Sequence, residues 1–189
     1  VHEVTSPQAF ESLPLTQGMS GNIGVRLVDV QTTSDGYQQL TGASDLAPVT
    51  IEHDYSDVLP SANVNFNLTD TTMLRFGVAK VIARPPLDEL RASRTLTNWL
   101  PYTGNAGNPN LEPFEATQFD ASYEWYFRDE ALLGFSAYYK DVSSYIGWRQ
   151  DPQTFEGITY AVATPINGKG GGITGAEVTF QTPLFFWRA

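Results

Sequence analysis

Residues 57–90 read DVLPSANVNFNLTDTTMLRFGVAKVIARPPLDEL, and the alternation within this stretch decides the fold. On both sides of a short polar turn at 69–71, an apolar side chain occupies every second position. These apolar side chains are Val64, Phe66 and Leu68 before the turn, and Leu74, Phe76 and Val78 after it. Period-2 alternation that flanks a short turn predicts an antiparallel β-hairpin.

The opposite face of the same hairpin is polar or small. It carries Asn63, Asn65 and Asn67 on the first strand, and Arg75, Gly77 and Ala79 on the second. Such a face suits water better than it suits a packed core. Apolar side chains outside and polar or small side chains inside are typical of a strand pair in a membrane β-barrel.

The same alternation recurs in four further segments, at 21–32, 117–127, 131–146 and 172–182. The segment 131–146 exceeds the ~3–10 residues that are usual for strands, whereas a membrane strand needs ~9–11 residues and can extend beyond the bilayer. Polar side chains that follow the parity of the polar face are predicted to face the lumen of the barrel. They are Asn63, Asn65, Arg75, Asp120, Glu124 and Glu177.

The connections between these segments alternate between short and long. Short turns are predicted at 69–71 and 128–130, and long loops at 33–57, 85–116 and 147–171. Membrane barrels sort their connections in this way, with short turns at one end and long loops at the other.

Three stretches outside the strands carry local signals. Residues 1–20 are rich in Pro, Ser and Gln, which predicts irregular structure. Residues 87–96 follow two prolines and are expected to form a short helix. The glycines of NGKGGG, at 167–172, predict a mobile loop.

Composition excludes several classes of function. The chain has 189 residues, enough for one domain, and no apolar run approaches the ~20 residues that a membrane helix needs. A formal net charge of -10 lacks the basic surface that nucleic acid requires, so no nucleic-acid partner is expected. Without cysteine there is neither a disulfide nor a thiolate metal site.

No catalytic constellation emerges from the sequence. The histidines are His2 and His53, and nothing near His53 builds a Ser/His/Asp triad. Carboxylates beside His53, namely Glu52, Asp54 and Asp57, could bind a cation, but a solvated acidic loop is the favoured interpretation. The stretch NGKGGGIT lacks the spacing of a phosphate-binding loop. We therefore predict no enzyme activity, no metal site and no cofactor.

Four blocks of the chain resemble TonB-dependent outer-membrane receptors, in the order that the family has them. The blocks are SGNIGVRLVDVQTTSDGY (20–37), YSDVLPSANVNFNLTDTTMLRFGVAKVIARPPLDEL (55–90), GNPNLEPFEATQFDASYEWYF (107–127) and NGKGGGITGAEVTFQTPL (167–184). Each block alone is a weak motif, but their correct order makes the resemblance strong.

The resemblance implies an all-β fold, an antiparallel meander of about six long strands that is part of a large transmembrane β-barrel. Barrels of this class have ~22 strands around a plugged lumen, so this fragment cannot close such a barrel by itself. We expect residues 1–189 to be a partial barrel domain. A plug domain, a TonB box, a signal peptide and the family's terminal strand are not found in the sequence.

The resemblance also implies a function, namely TonB-dependent uptake of a scarce nutrient across the outer membrane of a Gram-negative bacterium. The implied partners are outer-membrane lipid, a small-molecule nutrient and the TonB complex, which acts through the missing plug domain. The nutrient is expected to be an oligosaccharide or an iron chelate. Because the predicted loops are not basic, we slightly favour the oligosaccharide.

Aromatic and arginine side chains in or beside the long loops are candidates for ligand binding, because such groups are enriched at recognition hot spots. They are Trp99, Tyr102, Tyr145, Trp148 and Arg149. The alternative is that these side chains pack the loops against one another.

Two other functions remain open on the sequence. A soluble all-β carbohydrate-binding module would bury Val64, Phe66 and Phe135 between two sheets. A passive porin-like pore would lack a plug.

Overall fold

The structure, a computed structural model, describes residues 2–5, 8–16, 18–39, 46–97 and 99–183. These residues form ten strands and no helix, and nothing among them is a helix long and apolar enough to cross a membrane. The strands are β1 (His2–Thr5), β2 (Gln8–Thr16), β3 (Met19–Gln39), β4 (Leu46–Thr69), β5 (Thr72–Ala83), β6 (Arg94–Leu96), β7 (Thr103–Ala106), β8 (Phe114–Arg128), β9 (Ala131–Phe155) and β10 (Ile158–Gln181).

All ten strands belong to one sheet, in the order β1-β3-β4-β5-β8-β9-β10-β7-β6, with β2 paired to β3. Every pairing is antiparallel except that of β7 with β10. Six strands have at least 12 residues, namely β3, β4, β5, β8, β9 and β10. This confirms the predicted meander of about six long strands.

The sheet curls until its two ends nearly meet. The amide of Ala92, which precedes β6, donates to the Ser34 hydroxyl of β3 at 2.9 Å. A Cβ at Gly36 would lie 3.0 Å from the backbone nitrogen of Ser93, so the chain passes close to β3 here. The result is a nearly closed, barrel-like sheet.

The strand registers confirm the predicted faces. Cα partners include Val64 with Phe76 and Phe135 with Val178, and the same parity holds across the strands between them. These side chains lie on one exposed face of the sheet, where Val178 is 68% exposed and Phe135 46%. The described strands form one sheet, so they do not enclose the core between two sheets that a soluble carbohydrate-binding sandwich would have.

Two of the three predicted long loops are wrong. Strands β3 and β4 stay paired from Met19–Phe66 to Gln39–Leu46, which covers most of the predicted loop 33–57. Strands β9 and β10 continue to a two-residue turn at Glu156 and Gly157, within the predicted loop 147–171. Positive φ angles of 50° and 80° at these two residues match the turn that favours hairpins.

The glycine-rich stretch 167–172 is an interior part of β10, so its prediction as a mobile loop is also wrong. Tyrosine rings of β9 lie over Gly168 and Gly172 of this stretch and over Gly175. A Cβ at Gly168 would come within 2.6 Å of the Tyr145 ring, and one at Gly175 would overlap the Tyr138 ring. The glycines therefore make room for the tyrosines, a cross-strand arrangement that fixes strand register.

Two smaller predictions fail because strand pairing competes with local propensity. In place of the helix expected at 87–96 there is a turn, with Glu89 N donating to Pro86 O at 3.0 Å, followed by β6. Residues 2–5 and 8–16 are not irregular, since they form β1 and β2, which pair with β3. β6 pairs with β7, and in each case the pairing between strands outweighs the local preference of the residues.

Candidate functional site

A polar groove of about 790 Å³ lies on the concave face, in the half of the sheet nearer the short turns. Five of the six predicted lumen-facing residues line it. By strand register, the remaining one, Glu124, lies on the same face of the sheet. Those that line it are Asn63, Asn65, Arg75, Asp120 and Glu177. The residues that line the groove belong to β3, β4, β5, β8, β9 and β10, and we call this part of the concave face the wall.

Arg75 and Glu124 form the best-defined ion pair of this wall. Arg75 Nε lies 3.0 Å from Glu124 Oε1, and its Nη2 donates to Oε2 at 3.2 Å. The Tyr126 hydroxyl donates to the same carboxylate at 2.7 Å. A carboxylate held by a forked guanidinium and a hydroxyl is fixed in direction, so this network stiffens the wall.

Four further polar side chains of the wall pair across or along strands. Asn63 Nδ2 donates to Asn22 Oδ1 at 3.0 Å, and Gln118 Nε2 donates to Asp120 Oδ2 at 2.7 Å. Amides and paired charges of this kind present a surface that suits water or a polar partner.

The connection between β5 and β8 fills the half of the concave face that is farther from the short turns. We name this connection, residues 84–113, the inner segment. Its Leu111 is 0% exposed and its Leu90 is buried. Both line a pocket together with Val30 of β3. The loop predicted at 85–116 is therefore a long connection, as expected, but it folds inward and packs against the wall.

Side chains on two walls hold the inner segment. Asn167 of β10 accepts from Glu112 N at 3.0 Å and donates to Glu112 O at 2.9 Å. Asn108 Nδ2 donates to Pro165 O at 3.1 Å, and Ser34 of β3 binds the Ala92 amide on the opposite side. The sequence analysis missed Asn108 and Asn167 as anchors, although the stretch NPNLEP was a signal for the first.

The inner segment also pairs with β10 through β7, which brings the two predicted loop regions together. Ala161 N donates to Tyr102 O at 3.0 Å. The Tyr102 ring meets Tyr160 edge-on at 5.6 Å, within a cluster that includes Phe155 and Val162. The structure therefore places Tyr102 in a packed environment.

The other four candidate ligand residues do not converge on one surface. Trp99 is 72% exposed between β6 and β7, and Trp148 is 53% exposed on β9. Alternation along β9 puts Tyr145 and Arg149 on the face opposite to Trp148. Arg149 Nε already pairs with Asp151 Oδ2 at 2.6 Å.

Arg94 in β6 is a half-buried cation that was not among the residues predicted from the sequence. Its guanidinium lies 4.5 Å from the centre of the Phe155 ring. Burial lowers the pKa of the Arg94 guanidinium, which nevertheless stays charged at neutral pH. Its contact with an aromatic face offsets part of the cost of burial.

The acidic group around His53 is divided between two faces of β4. His53 and Asp57 share the concave face, whereas Glu52 and Asp54 are exposed on the other. Within the described ranges, no three His, Cys, Asp or Glu side chains are grouped so that they could hold a metal ion.

Solved structures with the same fold include siderophore and ferric enterobactin receptors. The siderophore receptor PirA from Acinetobacter baumannii has a TM-score of 0.67 at 17% identity, over 95% of this chain and 25% of that one. A mutant ferric enterobactin receptor, PfeA, from Pseudomonas aeruginosa has a TM-score of 0.62 at 15% identity, over 95% and 33%. Identities this low show the fold alone.

The chain spans between 25% and 33% of the length of these two receptors. A comparison with curated protein sequences finds no match. The family model described as TonB dependent receptor-like, beta-barrel matches residues 9–189. The single curved sheet, its apolar outer face and this match together show that the chain belongs to the TonB-dependent receptor-like β-barrel family.

Proposed function

We propose that this chain forms part of the barrel wall and the outer part of an active-transport receptor in the outer membrane of a Gram-negative bacterium. The observation that carries the proposal is the two-sided sheet. Its convex side exposes apolar side chains such as Phe76 and Val178, and its concave side carries the Arg75–Glu124 network. An apolar band outside and a polar surface inside fit a wall between lipid and a polar lumen.

On this proposal residues 1–189 are one part of a barrel domain, and outer-membrane lipid covers the apolar face. A plug domain and the TonB complex would supply the energy for uptake. The protein would perform no catalytic step, since its work is to bind a molecule and let it pass.

The nutrient is proposed to be an oligosaccharide or an iron chelate. The names of the neighbouring structures, siderophore and ferric enterobactin receptors, support an iron chelate by analogy only. The charges of the inner segment favour neither, because three arginines are balanced by three carboxylates. They are Arg84, Arg91 and Arg94 against Asp88, Glu89 and Glu112. Exposed indole rings suit sugar stacking, so our slight preference for an oligosaccharide stands as a proposal.

The residues proposed to capture the nutrient are Trp99, Trp148, Tyr145, Arg149 and Tyr102. Trp99 and Trp148 are the most accessible of the aromatic members. We expect alanine at either tryptophan to weaken binding by roughly 1–3 kcal/mol, as at other hot spots. Calorimetry on folded full-length variants measures the change, and unchanged affinity in both variants would assign these residues to packing.

Uptake by a strain in which the chromosomal gene is deleted tests the function. One arm supplies a ferric chelate under iron limitation, and the other supplies an oligosaccharide as the carbon source. We expect growth in one arm to require both the gene and an active TonB complex. Growth that requires the gene but persists without the TonB complex would identify a passive pore instead. Growth independent of the gene in both arms would contradict uptake of either nutrient.

A further inference from the structure

A small, partly open pocket of about 300 Å³ lies where the inner segment meets β3 and β4. Its apolar floor consists of Val30, Leu90 and Leu111, all of which are buried. Leu87, which is 68% exposed, forms part of its wall. Ligand pockets typically begin at about 300 Å³ and combine apolar walls with a few polar groups.

The polar side chains that line this pocket are Thr32, His53, Tyr55 and Arg84. His53 Nε2 is buried and has no hydrogen-bond partner. Its nearest carboxylate oxygen, Glu112 Oε1, is 3.7 Å away, which is longer than a hydrogen bond. A buried nitrogen without a hydrogen-bond partner costs free energy. A ligand that supplies this partner therefore removes the cost and is stabilised in the pocket.

Arg84 gives this pocket a cation at its rim. Its guanidinium interacts electrostatically with Tyr55, whose ring lies 6.1 Å from the His53 ring. An arginine fork matches the two oxygens of a carboxylate, and imidazole and phenol groups both donate hydrogen bonds. Glu112 is the carboxylate that faces these donors, and its side chain is 55% exposed, so it has room to turn into solvent.

We infer that this pocket binds a carboxylate carried on a flat apolar group, an aromatic monocarboxylate being the simplest case. The flat group lies on the floor of Val30, Leu90 and Leu111, and the carboxylate receives hydrogen bonds from Arg84 and His53.

The biological role of the pocket rests on the proposed function, since uptake determines whether such a carboxylate belongs to the transported nutrient or is a separate anion. Binding itself does not rest on it. The purified receptor binds or fails to bind without the TonB complex, so the two proposals fail in different experiments.

The test is titration of the full-length receptor in detergent with 4-fluorobenzoate, followed by ¹⁹F NMR. We expect saturable binding by the unmodified protein, and much weaker binding of 4-fluorobenzyl alcohol, which has the same ring without the charge. Arg84→Met should weaken 4-fluorobenzoate binding by about tenfold or more, because hydrogen bonds to a charged group contribute at least ~1.4 kcal/mol.

Arg91→Met is the matched control. Arg91 belongs to the same segment, but its guanidinium donates to Asp88 O at 2.9 Å and does not line the pocket. Leu87→Trp is a second, independent variant, which should abolish binding by filling the cavity. Absence of saturable binding by the unmodified receptor would overturn the inference. So would equal affinity in the Arg84→Met and Arg91→Met proteins, or undiminished binding in Leu87→Trp.

Discussion

Gly170 of β10 lies against the backbone of Val142 and Ser143 in β9. A Cβ at this position would overlap the carbonyl group of Val142, and the obstacle is backbone that cannot rotate away. Gly171, the next residue, has no heavy atom within 4 Å of an added Cβ. Two adjacent glycines therefore have different reasons to be present.

We expect Gly170→Ala to destabilise the folded protein by about 1–3 kcal/mol, the usual cost of overpacking. Gly171→Ala should be neutral or stabilise by up to about 1 kcal/mol, because alanine reduces the entropy of the unfolded chain. Denaturant titration of both full-length variants in lipid measures the difference. Equal costs would show that the close approach at Gly170 relaxes easily.

Phe135 and Ser136 are neighbours on β9 that point to opposite faces of the sheet at the same depth. Arginine at 135 should destabilise by ~2–4 kcal/mol if this level is near the middle of the bilayer. Arginine at 136 should cost much less, because Ser136 lines the polar groove and its Cα partner is Glu177. The measurement is folding into lipid vesicles, and equal penalties would contradict the assignment of the faces.

Among the elements, the inner segment is the one held most by individual side chains. The Asn167 side chain makes the hydrogen bonds that a neighbouring strand would otherwise make, because its amide both donates to and accepts from the Glu112 backbone. The same amide also donates to Ser144 Oγ at 3.2 Å. Opening of this end of the inner segment therefore requires the loss of a small number of identified bonds.

Asn167→Ala should speed hydrogen exchange in residues 108–112 by about tenfold or more, because it leaves backbone groups of Glu112 without partners at ~1–3 kcal/mol. Ser144→Ala removes a single contact of the same amide and should change exchange much less. Mass spectrometry of the exchanged full-length protein resolves the segment. Unchanged exchange in Asn167→Ala would show that packing around Leu111 holds the segment by itself.

At the scale of the whole molecule, the sheet buries its concave face in part and exposes its apolar convex face. Large side chains such as Phe180 and Val178 are each about two-thirds exposed, at 66% and 68%. A contiguous apolar surface of this kind needs lipid, detergent or another protein to cover it.

The 189-residue chain expressed alone should therefore aggregate in plain buffer and stay dispersed in detergent micelles. Exposed strand edges add to this tendency, since they pair with other chains. Size-exclusion chromatography with light scattering, with and without detergent, is the measurement. A monodisperse monomer that melts cooperatively in plain buffer would indicate that the apolar face is covered in some other way.

The sequence by itself determined the fold class and the facing of the long strands. Alternation in segments such as 64–78 and 131–139 is enough, because a period of two fixes which side chains share a face. It also determined the short turns and the long connection after Ala83, where two prolines end the strand.

Tertiary structure decided the rest, because the deciding contacts join residues that are far apart in sequence. The stretch 147–157, GWRQDPQTFEG, is mostly polar, so its pairing within the β9–β10 hairpin left no periodic signal. The inward folding of the inner segment depends on Asn167 and Ser34, which belong to other strands. The pocket of His53, Tyr55 and Arg84 exists only because that segment packs against β3 and β4.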